Sequence, residues 1–351
     1  MTPQPSKHIA GLDQLRFFMA LMVTIGHCNL APDLRGIVSN DTLVGFLIRA
    51  IAHNVVNGPA AVIVFFVISG FCIHLPHKDD SRPIPLLPYF TRRYVRILLP
   101  LAVAVVLGRL LHLKLALFQK SILWSLVCEE VYYLLYPFLR SARSRIGWKL
   151  LIFTAFLAAA VVASTNPTTV DYPSFGWQFN WLLGLPCWLL GCLLAEQRND
   201  RPVSGRQILT WRAIALSASM LASILNFHAP VKYPFTLNLF ALVAFLWLGR
   251  EIAYYRTRTP VQLLERAGKW SYSLYLTHGH AYKLWWFVHL YTLPLALRWP
   301  VQLTFILLGS YIFYFLIERP THNLARRLSL KASRFQQQMV SSSQIPFGDS
   351  A

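Results

Sequence analysis

The sequence predicts an all-α fold, a polytopic integral-membrane bundle of about ten transmembrane helices with both termini cytoplasmic. Three observations predict it. The chain of 351 residues is 55% hydrophobic and only 13% charged, whereas soluble domains carry about 25% charged residues. Its apolar residues form runs long enough to cross a bilayer. Lys and Arg gather in alternate loops between those runs, as the positive-inside rule requires.

The apolar runs give ten predicted spans. Their approximate limits are residues 12–29, 56–75, 97–113, 122–139, 149–165, 181–195, 213–227, 235–249, 270–291 and 299–317. Most of the 33 Lys and Arg residues fall on the side of the N-terminus and every second loop, which is therefore the cytoplasmic side. We expect one integral-membrane domain over residues 8–326, and then a polar cytoplasmic tail, residues 327–351, that is disordered.

Charge and cysteine usage exclude several classes of protein. The formal net charge of +19 is concentrated in these loops, so it indicates a lipid bilayer as partner and no nucleic acid. Five cysteines lie scattered in apolar segments without a CxxC pair, which argues against a disulfide framework or a zinc site. We therefore expect no metal and no resident cofactor.

The first span carries ionisable residues, which are costly in a bilayer and usually functional. Arg16 and His27 are eleven residues apart, about three helical turns, so they share a face about 16 Å long, with Asp13 on the same stripe. The structural alternative has Arg16 snorkelling to the interface and His27 capping the far end of the helix.

Two further segments precede the middle of the chain. Ser69 and Gly70 in the second span mark a point of close backbone approach, for a ligand or for another helix. Arg92, Arg93 and Arg96 cluster where the third span begins. Arginine forks suit phosphate oxygens, and the alternative is a positive-inside anchor.

The fourth span contains adjacent carboxylates, Glu129 and Glu130. They point about 100° apart on a helix, so at most one faces a given site. Glu129 shares a stripe with Ser125 and with Tyr132 or Tyr133. A buried carboxylate must be paired or protonated, and an ion pair with an intramembrane arginine is the structural alternative.

The last two spans carry polar residues as well. Ser271, Tyr275 and His278 follow helical spacing, which indicates a polar stripe directed inward. A core histidine bonded to a backbone carbonyl is the alternative for His278. Glu318 lies at the end of the last span beside Arg319, and a surface ion pair is the alternative there.

Taken in order, these segments resemble the membrane acyltransferase 3 family, integral-membrane carbohydrate O-acyltransferases. The resemblance covers about 310 residues through six motifs: Arg16 and His27; Ser69, Gly70 and Phe71; Arg92, Arg93, Arg96 and Pro100; Trp124, Ser125, Leu126 and Glu129; Ser271, Tyr272, Tyr275 and His278; Glu318 and Pro320. The stretch between Pro100 and Trp124 is shorter than in many relatives, which leaves acceptor recognition open.

The resemblance implies transfer of an acyl group, expected to be acetyl, from cytosolic acyl-CoA to a hydroxyl of a cell-surface or secreted carbohydrate such as polysaccharide or lipopolysaccharide. It implies a multi-pass protein of the inner or plasma membrane, working with other proteins of envelope-glycan biosynthesis. His27 would be the general base or a transient acyl carrier. Arg16 would orient the donor or stabilise an oxyanion, and Glu129 would hold Arg16 or His27.

The remaining residues of the resemblance have binding or supporting roles. The donor acyl-CoA, expected to be acetyl-CoA, would bind at Arg92, Arg93, Arg96, Ser69 and Gly70. Support of the site would come from Trp124, Ser125, Tyr275, His278 and Glu318.

Two rival functions belong to other classes. A proton-coupled secondary transporter would use the buried Arg, His and Glu groups as a relay, but the inverted repeats and paired broken helices that often mark transporters are not evident. Another polytopic acyltransferase class would act on lipids or proteins, and the order of the six motifs argues against it.

Overall fold

The computed structural model describes residues 9–30, 38–39, 41–79, 81–113, 122–197 and 202–342, which are helical and contain no β-strand. The helices are α1 (Leu12–His27), α2 (Leu43–Asn54), α3 (Gly58–His74), α4 (Leu86–Leu110), α5 (Trp124–Thr165), α6 (Asn180–Glu196), α7 (Gly205–His228), α8 (Tyr233–Tyr255), α9 (Gln262–Gly268), α10 (Ser271–Phe287), α11 (Leu295–Phe313) and α12 (Arg319–Ser342). A turn of π-helix, Tyr314–Glu318, joins α11 to α12.

All ten predicted apolar runs are helical, but the helices are divided differently. Two of the runs lie in α5, which consists of two helices that meet at Gly147, where the backbone is not helical. Gly147 has a φ of 76°, which glycine adopts readily because it has no Cβ. Helices α2, α9 and α12 lie outside the ten predicted runs.

The all-helical fold is confirmed, and part of the chain meets the length and hydropathy of membrane spans. Five helical stretches of the described residues do so: Gly58–His77, Trp124–Thr165, Gly205–His228, Tyr233–Tyr255 and Leu297–Met339. Two shorter apolar helices are Leu43–Asn54 and Asn180–Glu196. The number of ten spans and the side of each terminus stay predictions.

Helices α3 and α6 form the centre of the bundle and approach each other closely. A Cβ added at Gly70 would lie 1.9 Å from the carbonyl oxygen of Trp188, and one at Gly191 would lie 2.0 Å from that of Val67. Small residues allow helix backbones to come this close. At Gly70 the structure therefore places the backbone of α6 where the sequence analysis predicts a donor-binding residue.

Helix α12 continues into the segment where disorder is predicted. It packs along the first turns of α4, with Ala325 fully buried and the hydroxyl of Ser329 donating to the carbonyl of Pro88 at 3.1 Å. Helical structure thus reaches Ser342, and the rest of the predicted tail lies outside the described residues.

Candidate active site

Helix α1 carries the two residues with the strongest sequence signal, and α9 holds its first turn in place. The Glu265 carboxylate accepts hydrogen bonds from the backbone N–H groups of Gly11 and Gln14, both at 3.1 Å. These are donors that a helix start leaves unsatisfied. Because α1 also packs against α3 and α10, its polar face is directed at the bundle interior.

Arg16 lies one turn into α1, and its guanidinium points at neighbouring protein groups. Nη1 donates to Oδ1 of Asp13 at 3.0 Å, and Nη2 contacts Sγ of Cys72 on α3 at 3.3 Å. Arg16 also interacts electrostatically with Arg96 of α4. The guanidinium therefore contacts groups of α1 and α3, and the snorkelling alternative stays untested.

His27, at the other end of α1, meets His278 of α10. Nδ1 of His27 lies 3.1 Å from Nε2 of His278, with the ring centroids 5.3 Å apart and the ring planes 17° apart, so the two rings meet edge to edge. His278 is only 1% exposed, and its Nδ1 lies 3.1 Å from the carbonyl oxygen of Leu274. His27 is exposed. The two histidines singled out from separate segments of the sequence therefore form one pair, with only His27 accessible.

Tyr275 lies one turn before His278 and links α10 to the start of α5. Its hydroxyl donates to the carbonyl of Ile122 at 2.9 Å and lies 2.6 Å from Oγ of Ser125. Since the phenol has one hydrogen, Ser125 is the donor in the second bond. The ring of Tyr275 lies 6.3 Å from that of His278, so Ser125 and Tyr275 stand beside the histidine pair.

Trp124, the first residue of α5, makes aromatic contacts. Its ring meets those of Phe66 and Tyr172 edge-on, at centroid distances of 6.0 Å and 5.7 Å. This geometry is typical of a stable aromatic cluster. It packs the beginning of α5 against α3, next to Ser125.

Glu129 bonds to neutral hydroxyls and not to the cationic side chains predicted for it. Its Oε1 accepts hydrogen bonds from Ser69 of α3 and from Tyr133, one turn further along α5. The hydroxyl of Ser69 also accepts from Nε1 of Trp188 at 3.3 Å. The prediction that Glu129 directly holds Arg16 or His27 is wrong, because its hydrogen-bond donors are Ser69 of α3 and Tyr133 of α5 itself.

Glu130 differs from its neighbour as the helical geometry predicts. Both of its carboxylate oxygens are buried, and neither has a hydrogen-bond partner among the residues that the structure describes. It interacts electrostatically with Arg93 of α4 and with Glu129. Two adjacent carboxylates thus have opposite environments, one hydrogen-bonded twice and the other not at all.

The three arginines at the start of α4 lead from the surface into the bundle. Arg92 is exposed, and desolvation by surrounding protein and repulsion from Arg93, Arg96 and Arg326 lower the pKa of Arg92 from its ordinary value. The guanidinium of Arg93 lies 5.8 Å from the ring centroids of both Tyr89 and Tyr133. An anion bound here would relieve repulsion among these cations.

Tyr133 joins the arginines to the carboxylate network. Its ring lies under Arg93, while its hydroxyl donates to Glu129. The sequence left Tyr132 and Tyr133 as alternatives for the stripe of Glu129, and the structure selects Tyr133. The hydroxyl of Tyr132 instead donates to the carbonyl of Trp181 at 2.8 Å.

Glu318 is buried, with 3% exposure, so the surface ion pair with Arg319 is wrong. Its Oε2 accepts from the backbone N–H of Ser273 at 3.1 Å and from the hydroxyl of Ser273 at 2.5 Å. It also interacts electrostatically with Arg96. Glu318 ends the π-helical turn, a feature frequently found at functional sites.

Sequence reasoning missed two members of this arrangement, Cys72 and Ser273. Cys72 follows the Ser69 motif by less than a turn, and Ser273 lies within the motif of Tyr275. Their positions beside or within recognised motifs are a signal in the sequence. Their partners, Arg16 and Glu318, lie far away in the sequence. The pairing depends on which helices are adjacent.

The fold and these contacts define a class of protein, an all-helical membrane protein with two groups of polar side chains inside its bundle. One joins Arg93 to Tyr133, Glu129 and Ser69, and the other joins Ser125 and Tyr275 to the histidine pair. The family model described as an acyltransferase domain matches residues 9–319, nearly the whole chain. The protein belongs to the acyltransferase 3 family, which confirms the resemblance seen in its motifs. Comparison with curated proteins and with solved structures found no match.

Proposed function

We propose that this protein is an O-acyltransferase that moves an acetyl group from acetyl-CoA to a hydroxyl of a cell-surface or secreted carbohydrate, in the inner or plasma membrane. Family membership indicates a membrane acyltransferase. The observation that carries the finer proposal is the accessible imidazole of His27, paired with a buried second histidine. A neutral imidazole is the side chain best suited to take a proton from a hydroxyl near neutral pH.

In this proposal the sugar hydroxyl attacks the thioester carbonyl while His27 takes its proton. The new C–O bond forms, the C–S bond breaks, and CoA leaves as its thiolate, which takes the proton from the imidazolium of His27 and so restores the base. An acyl-histidine intermediate would add a covalent step on the same atom. In either route the acyl group must come within hydrogen-bond reach of His27.

Arg16 acts on the donor and not on the oxyanion. An oxyanion donor must lie about 3 Å from the carbonyl oxygen, whereas Arg16 is about 16 Å along the helix from His27. Its guanidinium is turned further away by the bond to Asp13, one turn toward the helix start. It is close enough to Arg96 to repel it electrostatically, so it would add to the positive charge of the donor-binding arginines.

The arginine cluster suits the other end of the donor. Acyl-CoA carries its phosphates far from its thioester, at opposite ends of the pantetheine arm, so cations and base must stand apart in the site. Arg92, Arg93 and Arg96 would bind the phosphates through charge-assisted hydrogen bonds. Glu129 and Tyr133 would keep Arg93 and the neighbouring wall of α3 in place.

Mass spectrometry of surface glycans, from host cells with and without the gene, tests this proposal. We expect the acetyl ester to disappear on deletion, to return with the wild-type gene, and to stay absent when His27→Ala is supplied at equal membrane abundance. Glycans that carry the same esters in all four strains would contradict the proposed acceptor class.

A further inference from the structure

We propose that His278 is a positioning residue that fixes the tautomer of His27, so that Nε2 of His27 is the atom that takes the proton. The catalytic consequence rests on the proposed function, whereas the tautomer itself does not. The inference follows from the order of hydrogen bonds that begins at a backbone carbonyl.

The first link is unambiguous. The carbonyl oxygen of Leu274 can only accept a hydrogen bond, and Nδ1 of His278 lies 3.1 Å from it. Nδ1 of His278 must therefore carry a hydrogen. A neutral imidazole has one hydrogen on its two nitrogens, so Nε2 of His278 presents a lone pair.

The second link transfers this choice to His27. Nδ1 of His27 lies 3.1 Å from Nε2 of His278, and with a lone pair on His278 the hydrogen must be on His27 Nδ1. Nε2 of His27 then holds the free lone pair. Because His27 is exposed and His278 is buried, that lone pair is the one a substrate hydroxyl can reach.

The Nδ1–H tautomer of His27 depends on a neutral His278, and the surroundings of His278 favour its neutral form. The groups that act on it are His27, His280 and the backbone carbonyls of Leu274 and Tyr275, and none of these described groups is a carboxylate. A buried charge without an opposite charge is costly. A second proton, on Nε2 of His278, would also reverse the hydrogen bond between the two rings. Nδ1 of His27 would then be the acceptor, and Nε2 of neutral His27 would carry the hydrogen in place of its free lone pair.

The pair is also arranged for the charged state that catalysis passes through. When Nε2 of His27 takes a proton, its Nδ1–H still points at the lone pair of His278, and hydrogen bonds from a charged donor are the stronger ones. Buried on α10, His278 also holds the plane of the accessible ring. In serine hydrolases a carboxylate has this orienting role; here a neutral imidazole replaces it.

The first arm of the test measures kinetics of purified full-length variants. His278→Leu removes the acceptor, and we expect kcat to fall by about tenfold or more, but by less than the 10²–10⁴-fold that a general base contributes, with KM for acetyl-CoA unchanged. His278→Gln places an amide oxygen near the position of Nε2, so it should recover most of kcat.

His280→Leu is the matched control for loss of a buried histidine. His280 is on the same helix, and its Nε2 lies 2.7 Å from the carbonyl of Ala104, away from His27. If His278→Leu and His280→Leu lower kcat equally, or if His278→Gln recovers nothing while folded, His278 does not act through the tautomer of His27.

The second arm reads the tautomer directly, without any activity. Nitrogen-15 NMR of histidine-labelled protein, assigned by comparison with His27→Ala, should show hydrogen on Nδ1 of His27 in the wild type. In His278→Leu it should show a shift toward the Nε2–H form. Hydrogen on Nε2 of wild-type His27 would overturn the inference even if acetyl transfer is observed, and an Nδ1–H signal would uphold it even if acetyl transfer is not.

Discussion

Glu129 and Glu130 are neighbours in the sequence with opposite surroundings, and this makes them a matched pair for substitution. Glu129→Gln removes the charge of a hydrogen-bonded carboxylate with little change in volume, and Glu130→Gln changes the volume equally little. Glu129 loses a charged acceptor for two hydroxyl donors. Within the described part of the chain, Glu130 has no hydrogen-bond partner to lose.

The magnitude follows from the number of bonds. A hydrogen bond to a charged group contributes about 1.5–3 kcal/mol and a neutral one about 0.5–1.5 kcal/mol. The amide oxygen of Gln still accepts, so each of the two bonds loses about 1 kcal/mol. We therefore expect Glu129→Gln to lower the free energy of unfolding by about 2 kcal/mol. Glu130 is buried without a hydrogen-bond partner among the described residues, which favours its protonated form, so we expect Glu130→Gln to leave the free energy of unfolding nearly unchanged.

The assay combines thermal unfolding in detergent with acetyl transfer per folded molecule. Transfer should fall about 30-fold in Glu129→Gln if the same 2 kcal/mol acts on the transition state, and little in Glu130→Gln. Equal losses in both variants, or a larger loss at Glu130, would refute the assignment of α5 faces. The placement of α5 against α3 would then be wrong as well.

Two other predictions test the donor surface and the helix contact. The combined variant Arg92→Ala, Arg93→Ala and Arg96→Ala removes the positive charge at the start of α4. It should raise KM for acyl-CoA with less effect on kcat, because loss of uniform binding appears in KM. The exposed Arg206→Ala on α7 is its control, and an unchanged KM would leave only the positive-inside anchor. Gly70→Ala should destabilise the protein by about 1–3 kcal/mol through overpacking, since its Cβ would meet α6. Gly279→Ala on α10, with nothing within 4 Å of its Cβ, should be neutral or stabilising by up to about 1 kcal/mol, and similar losses at both glycines would contradict the close α3–α6 contact.

The helices themselves were predictable because hydropathy is a local property. Every predicted run is helical, and Gly147 marks the bend in α5 that periodicity alone does not reveal. Helix α2 escaped prediction because it is a short apolar helix that the run-length criterion for a span passes over. Helix α12 escaped because a polar composition indicates disorder when its packing against α4 is unknown.

The relative position of two site residues was predictable where both lie on the same helix. The common face of Arg16 and His27, and the different faces of Glu129 and Glu130, follow from helical geometry. Helical geometry does not predict the partner of Glu129. Ser69 and Arg16 are both polar residues of the bundle, and only the adjacency of the helices decides which of them bonds to Glu129. The structure pairs Arg16 with Asp13, three residues away, and leaves Glu129 to Ser69 and Tyr133.

The central claim is that His27 is the base of an acetyl transfer from acetyl-CoA. It is tested most directly by incubating purified full-length protein with acetyl-CoA labelled in the acetyl group and a glycan acceptor from the host. The account predicts label on the glycan with wild-type protein and none above background with folded, membrane-inserted His27→Ala. Near-wild-type transfer by that variant would contradict the account.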